Sequence, residues 1–351
     1  MTSSSSPSLS TTICGNLHLD TCIFNASGPR TGSSDALAKI AASAAGAVLA
    51  KSATVLEQTG NDLPRTWQSD AVASLNSEGL PNKGHRTQLG VPKRDWPPYH
   101  CVRFRPARDG AHGGASADGV VVYTIGYSAM NGYEACVKLP PFFDGPHFEK
   151  AAAIINQFTC IQFATSINTV GNALVVDSVA EMPAIRPKNG FGGLSGPAIK
   201  YTALANVKKM RELLRPDIAV IGVRVGGIES GDDVFNMILC GAQAVQVGTC
   251  HWIEGPKCFD RITKELQDIM KRKGYSSVDE FRGKLQPWSK EGAAKSRDAR
   301  RNGAEAKTKT GSSAAPSNAL VAADTTPLYA VIAVLLAIIV GLINDRMKNQ
   351  A

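Results

Sequence analysis

The sequence predicts an α/β chain: a (β/α)8 TIM barrel, complete or incomplete, followed by a C-terminal transmembrane helix. Strand-like and helix-like segments alternate from about Ile13 to Leu285, the pattern of repeated βα units. Two successive strands late in that stretch end in glycine-led loops that open onto helices. Residues 328–343 then form an apolar run without a charge. A chain of 351 residues holds one barrel of ordinary size with appendages.

Taken in order, residues 35–45 read as a helix with Ser34 or Asp35 at its N-cap. Residues 46–50 read as a buried strand delivering Lys51, Ser52, Ala53 and Thr54 at its C-terminal end. A helix over 148–157 precedes a strand over 160–164, which delivers Asn168 and Thr169. The run Gly192-Gly193-Leu194-Ser195-Gly196 leads to a helix over 203–214. The strand from Ile218 ends at Gly226-Gly227, ahead of a helix over 231–240. The strand from Ala244 ends at Gly248-Thr249, ahead of a helix over 259–270. Glycine at such a turn lets backbone N–H groups approach an anion, and a helix N-terminus adds its positive dipole. One such turn reads as an ordinary βα connection, but the pair, with Gly192 to Gly196 upstream, points to phosphate binding. In a parallel barrel Lys51, Asn168, Gly226 and Gly248 then face one mouth.

Composition narrows the function classes. The chain is 43% hydrophobic and 19% charged, with 33 glycines suited to many short turns. Its net charge of +8 is concentrated: residues 289–311 hold seven Lys or Arg against three acids. No basic patch interleaved with aromatics occurs in the body, which argues against nucleic acid. The eight cysteines are scattered without a C-x-x-C pair, which argues against a zinc or iron–sulfur site and for a reducing compartment. No metal is expected.

The ends carry their own expectations. Residues 1–12 lack the apolar core of a secretory signal and read as a disordered lead-in. Residues 286–326 read as a basic flexible linker and residues 327–343 as a membrane anchor. At helical rise the uncharged run spans roughly 24 Å, a little under a bilayer core. The expected location is cytoplasmic, tethered to a membrane by that single-pass helix. Lys290, Lys295, Arg297, Arg300 and Arg301 then lie near anionic headgroups, or simply solvate a linker.

Eight motifs, in order, carry a resemblance. They are Asn25-Ala-Ser-Gly28, Lys51-Ser52, Ser74-Leu-Asn-Ser-Glu-Gly-Leu-Pro-Asn82 and Lys138-Leu-Pro-Pro-Phe-Phe-Asp144. Ser166-Ile-Asn-Thr-Val-Gly-Asn172, Gly190-Phe-Gly-Gly-Leu-Ser-Gly196, Val225-Gly-Gly-Ile and Gln246-Val-Gly-Thr249 follow. Together they resemble dihydroorotate dehydrogenase, nearest its soluble, fumarate-using class. The resemblance implies an FMN-binding barrel over 13–285 that oxidises (S)-dihydroorotate to orotate in pyrimidine synthesis. Fumarate is the implied acceptor, the membrane segment leaves a quinone open, and the class implies a homodimer.

Residue by residue, the resemblance puts FMN on Ala26, Ser27, Gly28, Lys51, Ser52, Lys138, Asn168, Gly196, Gly226, Gly227, Gly248 and Thr249. The glycines and Thr249 would hold the phosphate, and Lys138 would stabilise negative charge on the reduced ring. Substrate contacts fall on Lys51, Asn76, Gly79, Leu80, Asn168 and Thr169: amides for an imide edge and a cation for a carboxylate. Glu78 stands where the family more often has an apolar residue, and it brings a like charge toward an anionic substrate.

Between His85 and Ala135 the family's motifs are missing, including the loop whose cysteine is the catalytic base. Cys101 beside His100 lacks the surrounding motif, and Cys136 precedes a strand residue, so neither takes that role and the base is unassigned. Two readings stay open for 85–135: a skipped exon or shifted reading frame, or a non-catalytic membrane-tethered relative that keeps its flavin site.

Overall fold

The computed structural model describes residues 6–14, 17–52, 56–69, 73–83, 100–101, 103–104, 121–125, 134–224 and 227–309. The N-terminal strands β1 (Thr11–Cys14) and β2 (Leu17–Leu19) pair antiparallel. Then come β3 (Ile23–Asn25), α1 (Ser34–Ala41), β4 (Val48–Leu49), β5 (Thr66–Gln68) and β6 (Ser74–Asn76). The short strands β7 (His100–Cys101), β8 (Arg103–Phe104) and β9 (Val121–Ile125) precede β10 (Glu134–Leu139), α2 (Gly145–Ile155) and β11 (Ile161–Ser166). Next are β12 (Val170–Leu174), β13 (Val176–Asp177), β14 (Met182–Pro183), β15 (Phe191–Ser195) and α3 (Lys200–Leu213). The chain continues through β16 (Ala219–Arg224), α4 (Gly231–Leu239), β17 (Ala244–Val247), α5 (Thr249–Glu254), α6 (Lys257–Lys273) and α7 (Lys290–Lys309).

The main sheet runs β3-β17-β16-β11-β10-β9-β8. Its first five strands are parallel, as the βα alternation requires. Both β9 against β10 and β8 against β9 are antiparallel. Among the described residues no ladder joins β8 back to β3, so the interval that lacks family motifs is also where the parallel order stops.

Ile23, Val137, Ala164, Val220, Ile221, Val223 and Val245 are fully buried, the near-continuous apolar pattern of a sheet covered on both faces. Gly222 shows which face carries helices: a Cβ there would sit 3.2 Å from Met237 Sδ of α4. Helix α6 buries Phe259, Ile262, Leu266 and Met270 on one stripe, at helical spacing.

Most predicted elements form within a few residues of their expected bounds. The cap of α1 is one residue earlier than expected: Ser33, not Ser34 or Asp35, is extended and accepts the Ala36 N–H at 3.3 Å. The expected flexible linker contains α7, built from Ala, Lys, Arg and Glu, which are strong helix formers. The chain divides into two units after Gln286, and α7 belongs to the second. Among the described residues no helix is long and apolar enough to cross a membrane; the expected anchor over 327–343 lies outside them.

Candidate active site at the strand ends

Because β3, β17, β16, β11 and β10 run the same way, their C-terminal ends share one edge. That edge receives Ala26, Ser27 and Gly28 after β3, Gly248 and Thr249 after β17, and Gly227 after β16. It also receives Asn168 and Thr169 after β11, with Lys138 next to the last residue of β10. Gly226 lies outside the described residues.

Hydrogen bonds join several of these residues into one unit. Asn25, fully buried, donates Nδ2 to the Leu49 carbonyl at 2.6 Å and accepts the Leu49 N–H at 2.8 Å. It therefore replaces a ladder between β3 and β4 and sets where β4 releases Lys51. Lys51 then donates its N–H to the Thr31 carbonyl at 2.8 Å, and Ser52 donates its N–H to Ser27 Oγ at 3.0 Å. Ala26 donates to the Val247 carbonyl at 2.8 Å, so the β3 and β17 exits stay adjacent. Asn168 is fixed separately, its N–H donating to the Leu139 carbonyl at 2.8 Å.

Register identifies side chains that sequence reasoning missed. Gly222 faces α4, so Ile221 and Val223 face the opposite side of the sheet. Thr165 pairs with Ile221, Lys138 with Thr165, and Gln246 with Val223, so these three share the face away from α4. Thr165, Lys138 and Gln246 are 5%, 8% and 6% exposed. Three buried polar side chains on the sheet face away from α4, near the strand ends, are candidates for a site. In the sequence Gln246 stands only as part of a motif, and Thr165 carries no signal of its own.

A small antiparallel sheet, β12-β15-β6-β5, brings Asn76 beside Thr169, two of the residues expected to contact substrate. Asn76 pairs with Gly193 across β6 and β15 and donates Nδ2 to its carbonyl at 3.4 Å. Gly193 is also pressed against Thr169, whose Cβ would lie 2.6 Å from any Cβ placed there. Gly79 (φ 69°) and Leu80 (φ 58°) form a left-handed turn, and a Cβ at Gly79 would lie 2.6 Å from the Asn61 backbone. Gly196 (φ 95°) turns the chain from β15 toward α3.

The Glu78 charge is answered within its own loop. Arg65 Nε lies 3.3 Å from Glu78 Oε2, with the two side chains 22% and 17% exposed. The same guanidinium donates to the carbonyls of Thr59 and Asn61 at 2.9 and 3.2 Å. A cleft of about 850 Å3 beside this pair is lined by Arg30, Lys39, Lys51, Lys83 and His251, among others. Burial, reinforced by the Arg30 charge, lowers the His251 pKa and keeps its imidazole neutral.

The two glycine turns differ in a way the sequence did not indicate. At the N-terminus of α4 the free N–H groups are already taken. Asp233 Oδ2 accepts those of Glu229 and Ser230 at 3.0 and 3.2 Å, Ser230 Oγ accepts that of Asp233, and Glu265 Oε2 accepts that of Gly231 at 2.7 Å. Lys200, at the start of α3, pairs with the other Asp233 oxygen. The α4 dipole is therefore spent on carboxylates of the chain itself, contrary to the expectation of a free helix N-terminus at the first turn. What faces the mouth is the Gly227 backbone and the turn at Gly248-Thr249, which no side chain caps.

The residues present fit a flavin nucleotide. Ser195 Oγ, fully buried beside Gly196, has no hydrogen-bond partner among the described residues, and Lys138, Thr165 and Gln246 are buried polar side chains at the strand ends. The glycines at 196, 227 and 248 carry no side chain, which lets an anion approach their backbone. The backbone of Cys101 is placed by β7, which runs parallel to β4 with Cys101 opposite Leu49. Among the described residues no cluster of metal-ligating side chains occurs.

Comparison with known proteins agrees with this arrangement. A family model described as dihydroorotate dehydrogenase matches residues 8–100 and 126–270. The match therefore reaches further into the aberrant interval than the motifs indicated and breaks only across 101–125. A dihydroorotate dehydrogenase (fumarate) of Saccharomyces mikatae is 38% identical over 313 residues, covering 79% of this chain and 98% of the relative. A dihydroorotate dehydrogenase A (fumarate) of Lactococcus lactis is 38% identical over 299 residues, covering 75% and 94%. The crystal structure of an Eimeria tenella DHODH in complex with ferulenol superposes with a TM-score of 0.61 at 18% identity, covering 78% of this chain and 88% of that one. With a family model matching most of its length and relatives 38% identical to it, this chain belongs to the dihydroorotate dehydrogenase family.

Proposed function

We propose that the chain oxidises (S)-dihydroorotate to orotate with bound FMN and passes the electrons to fumarate, in pyrimidine synthesis. The observation that supports this reading is the shared edge of five parallel strands, which receives Ala26, Ser27, Gly28, Lys138, Asn168, Thr169, Gly227, Gly248 and Thr249. The printed names of the relatives support fumarate as acceptor.

Each residue has a role that follows from its chemistry. Lys51 pairs the substrate carboxylate, and the Asn76 and Asn168 amides match the donor and acceptor pattern of the imide edge. Thr169 supplies a hydroxyl above Gly193, and Gly79 and Leu80 shape the loop over the substrate. Bound FMN supplies a two-electron acceptor at substrate C6. Lys138, nine-tenths buried, would hold the flavin ring and supply an ammonium to offset negative charge on it. The substrate loses a hydride from C6 and a proton from C5, and fumarate gains both equivalents to become succinate. The group that removes the C5 proton is not among the described residues.

The decisive experiment adds dihydroorotate to the purified full chain under anaerobic conditions. Bleaching of the flavin absorbance, reversed by fumarate, supports the reading; bound flavin that never bleaches overturns it. The second reading, a non-catalytic flavin-binding relative, rests on the antiparallel β8 and β9 beside β10. Two further parts of the proposal have separate tests. Residues 327–343 anchor the chain to a membrane, and release by carbonate extraction overturns that. The chain forms a homodimer, using apolar side chains such as Val179 and Met182 that the β13–β14 hairpin leaves exposed, and a monomeric sedimentation profile overturns that.

A further inference from the structure

Arg261 lies outside every motif of the family resemblance, yet it touches the elements that follow both glycine turns. From α6, its Nε and Nη2 reach the two carboxylate oxygens of Glu254 at 3.0 and 2.7 Å, and its Nη1 reaches Glu265 Oε1 at 2.7 Å. Glu254 is the last residue of α5, the helix that begins at Thr249. Glu265 turns its other oxygen to the Gly231 N–H, at the head of the helix that follows Gly227. One guanidinium therefore holds the far end of α5 and, through Glu265, the near end of α4.

We propose that Arg261 is a positioning residue for the phosphate of the flavin nucleotide. It fixes the separation of the Gly227 and Gly248-Thr249 turns without touching the phosphate. This rests on the FMN reading above. A dianion held by backbone N–H groups from two loops binds tightly only when the loops keep their spacing beforehand, because ordering them on binding costs affinity. Helix α5 has six residues and no side-chain cap at its start, and Arg261 reaches it twice, at Glu254 on its last residue and at Cys250 Sγ, 3.3 Å away, one residue from its first. The guanidinium also offsets two carboxylates that would otherwise repel a phosphate. Bidentate geometry, which lysine lacks, suits a part that sets distance.

The test compares FMN with riboflavin, which carries the same ring without phosphate, by fluorescence titration of the full chain freed of bound flavin. Arg261→Met is expected to weaken FMN binding about tenfold, the scale of one lost charge-assisted hydrogen bond, and to leave riboflavin unchanged. Arg261→Lys is expected to fall between. Glu254→Ala, at a half-exposed helix end, is expected to give the same selective loss and serves if Arg261→Met does not fold. Equal loss of both flavins, or no loss, overturns the proposal. A wild-type chain with no preference for FMN over riboflavin overturns the phosphate site itself, and the proposal with it.

Discussion

Gly193 and Thr169 are in such close contact that neither position tolerates a larger neighbour: a Cβ on Gly193 would lie 2.6 Å from the Thr169 Cβ. Gly193 also pairs with Asn76 on the other side. The glycine thus allows Asn76 and Thr169, far apart in sequence, to approach across a single backbone.

Gly193→Ala is accordingly expected to push Thr169 outward. Overpacking of this kind costs about 1–3 kcal/mol. The KM for dihydroorotate is expected to rise roughly tenfold, which corresponds to ~1.4 kcal/mol of lost binding. Thermal unfolding and steady-state kinetics check the two effects, and adding Thr169→Gly is expected to restore stability but not KM.

Arg65 and Glu78 form a pair whose removal by halves is informative. Arg65→Met leaves the Glu78 carboxylate uncompensated beside the substrate loop, so KM for the anionic substrate is expected to rise several-fold. Arg65→Met with Glu78→Gln is expected to recover much of that loss, because the repelling charge is gone. An unrecovered double variant would show that Arg65 acts on the loop through its bonds to Thr59 and Asn61 instead.

Lys138→Met is expected to lower the midpoint potential of bound flavin. A hydrogen bond to a charged group contributes about 1.5–3 kcal/mol, and 30 mV corresponds to ~1.4 kcal/mol for a two-electron couple. The expected shift is therefore roughly 30–65 mV to more negative values. Potentiometric titration reads it directly, and an unchanged potential would remove Lys138 from the ring's surroundings.

His251 introduces a pH dependence of known sign. Its folded pKa is lowered by burial first and by Arg30 second, so the unfolded chain binds the proton more readily. Stability then falls as pH drops through the unfolded value of about 6.5 and levels off below the folded one. The slope from this group is at most about 1.4 kcal/mol per pH unit. His251→Gln is expected to flatten the Tm profile between pH 7.5 and 5.5 relative to wild type.

Much of the barrel was legible in the residues. The strand at Ala244 to Val247, its glycine turn and the amphipathic α6 follow from local patterning: a buried strand is apolar, a tight turn needs glycine, and a helix repeats its apolar face. Motif order was enough to imply the cofactor and substrate residues. The α7 helix was missed because a Lys-, Arg- and Ala-rich stretch suits a solvated linker and a solvated helix equally well.

Other features depended on contacts between residues distant in sequence. Thr165 and Gln246 became site candidates only through strand register, since a shift of one residue would turn them toward the helices. The Glu78 charge is unfavourable in the sequence alone, and Arg65, just before β5, answers it in the folded chain. The α4 N-terminus looked free until Asp233 and Glu265 were found filling it. The sequence by itself determined the βα alternation, the glycine turns and the family motifs, because each depends on neighbours along the chain. Only the tertiary structure decided which charges are paired, which N–H groups remain open and which side chains face the mouth, because those depend on packing across the sheet.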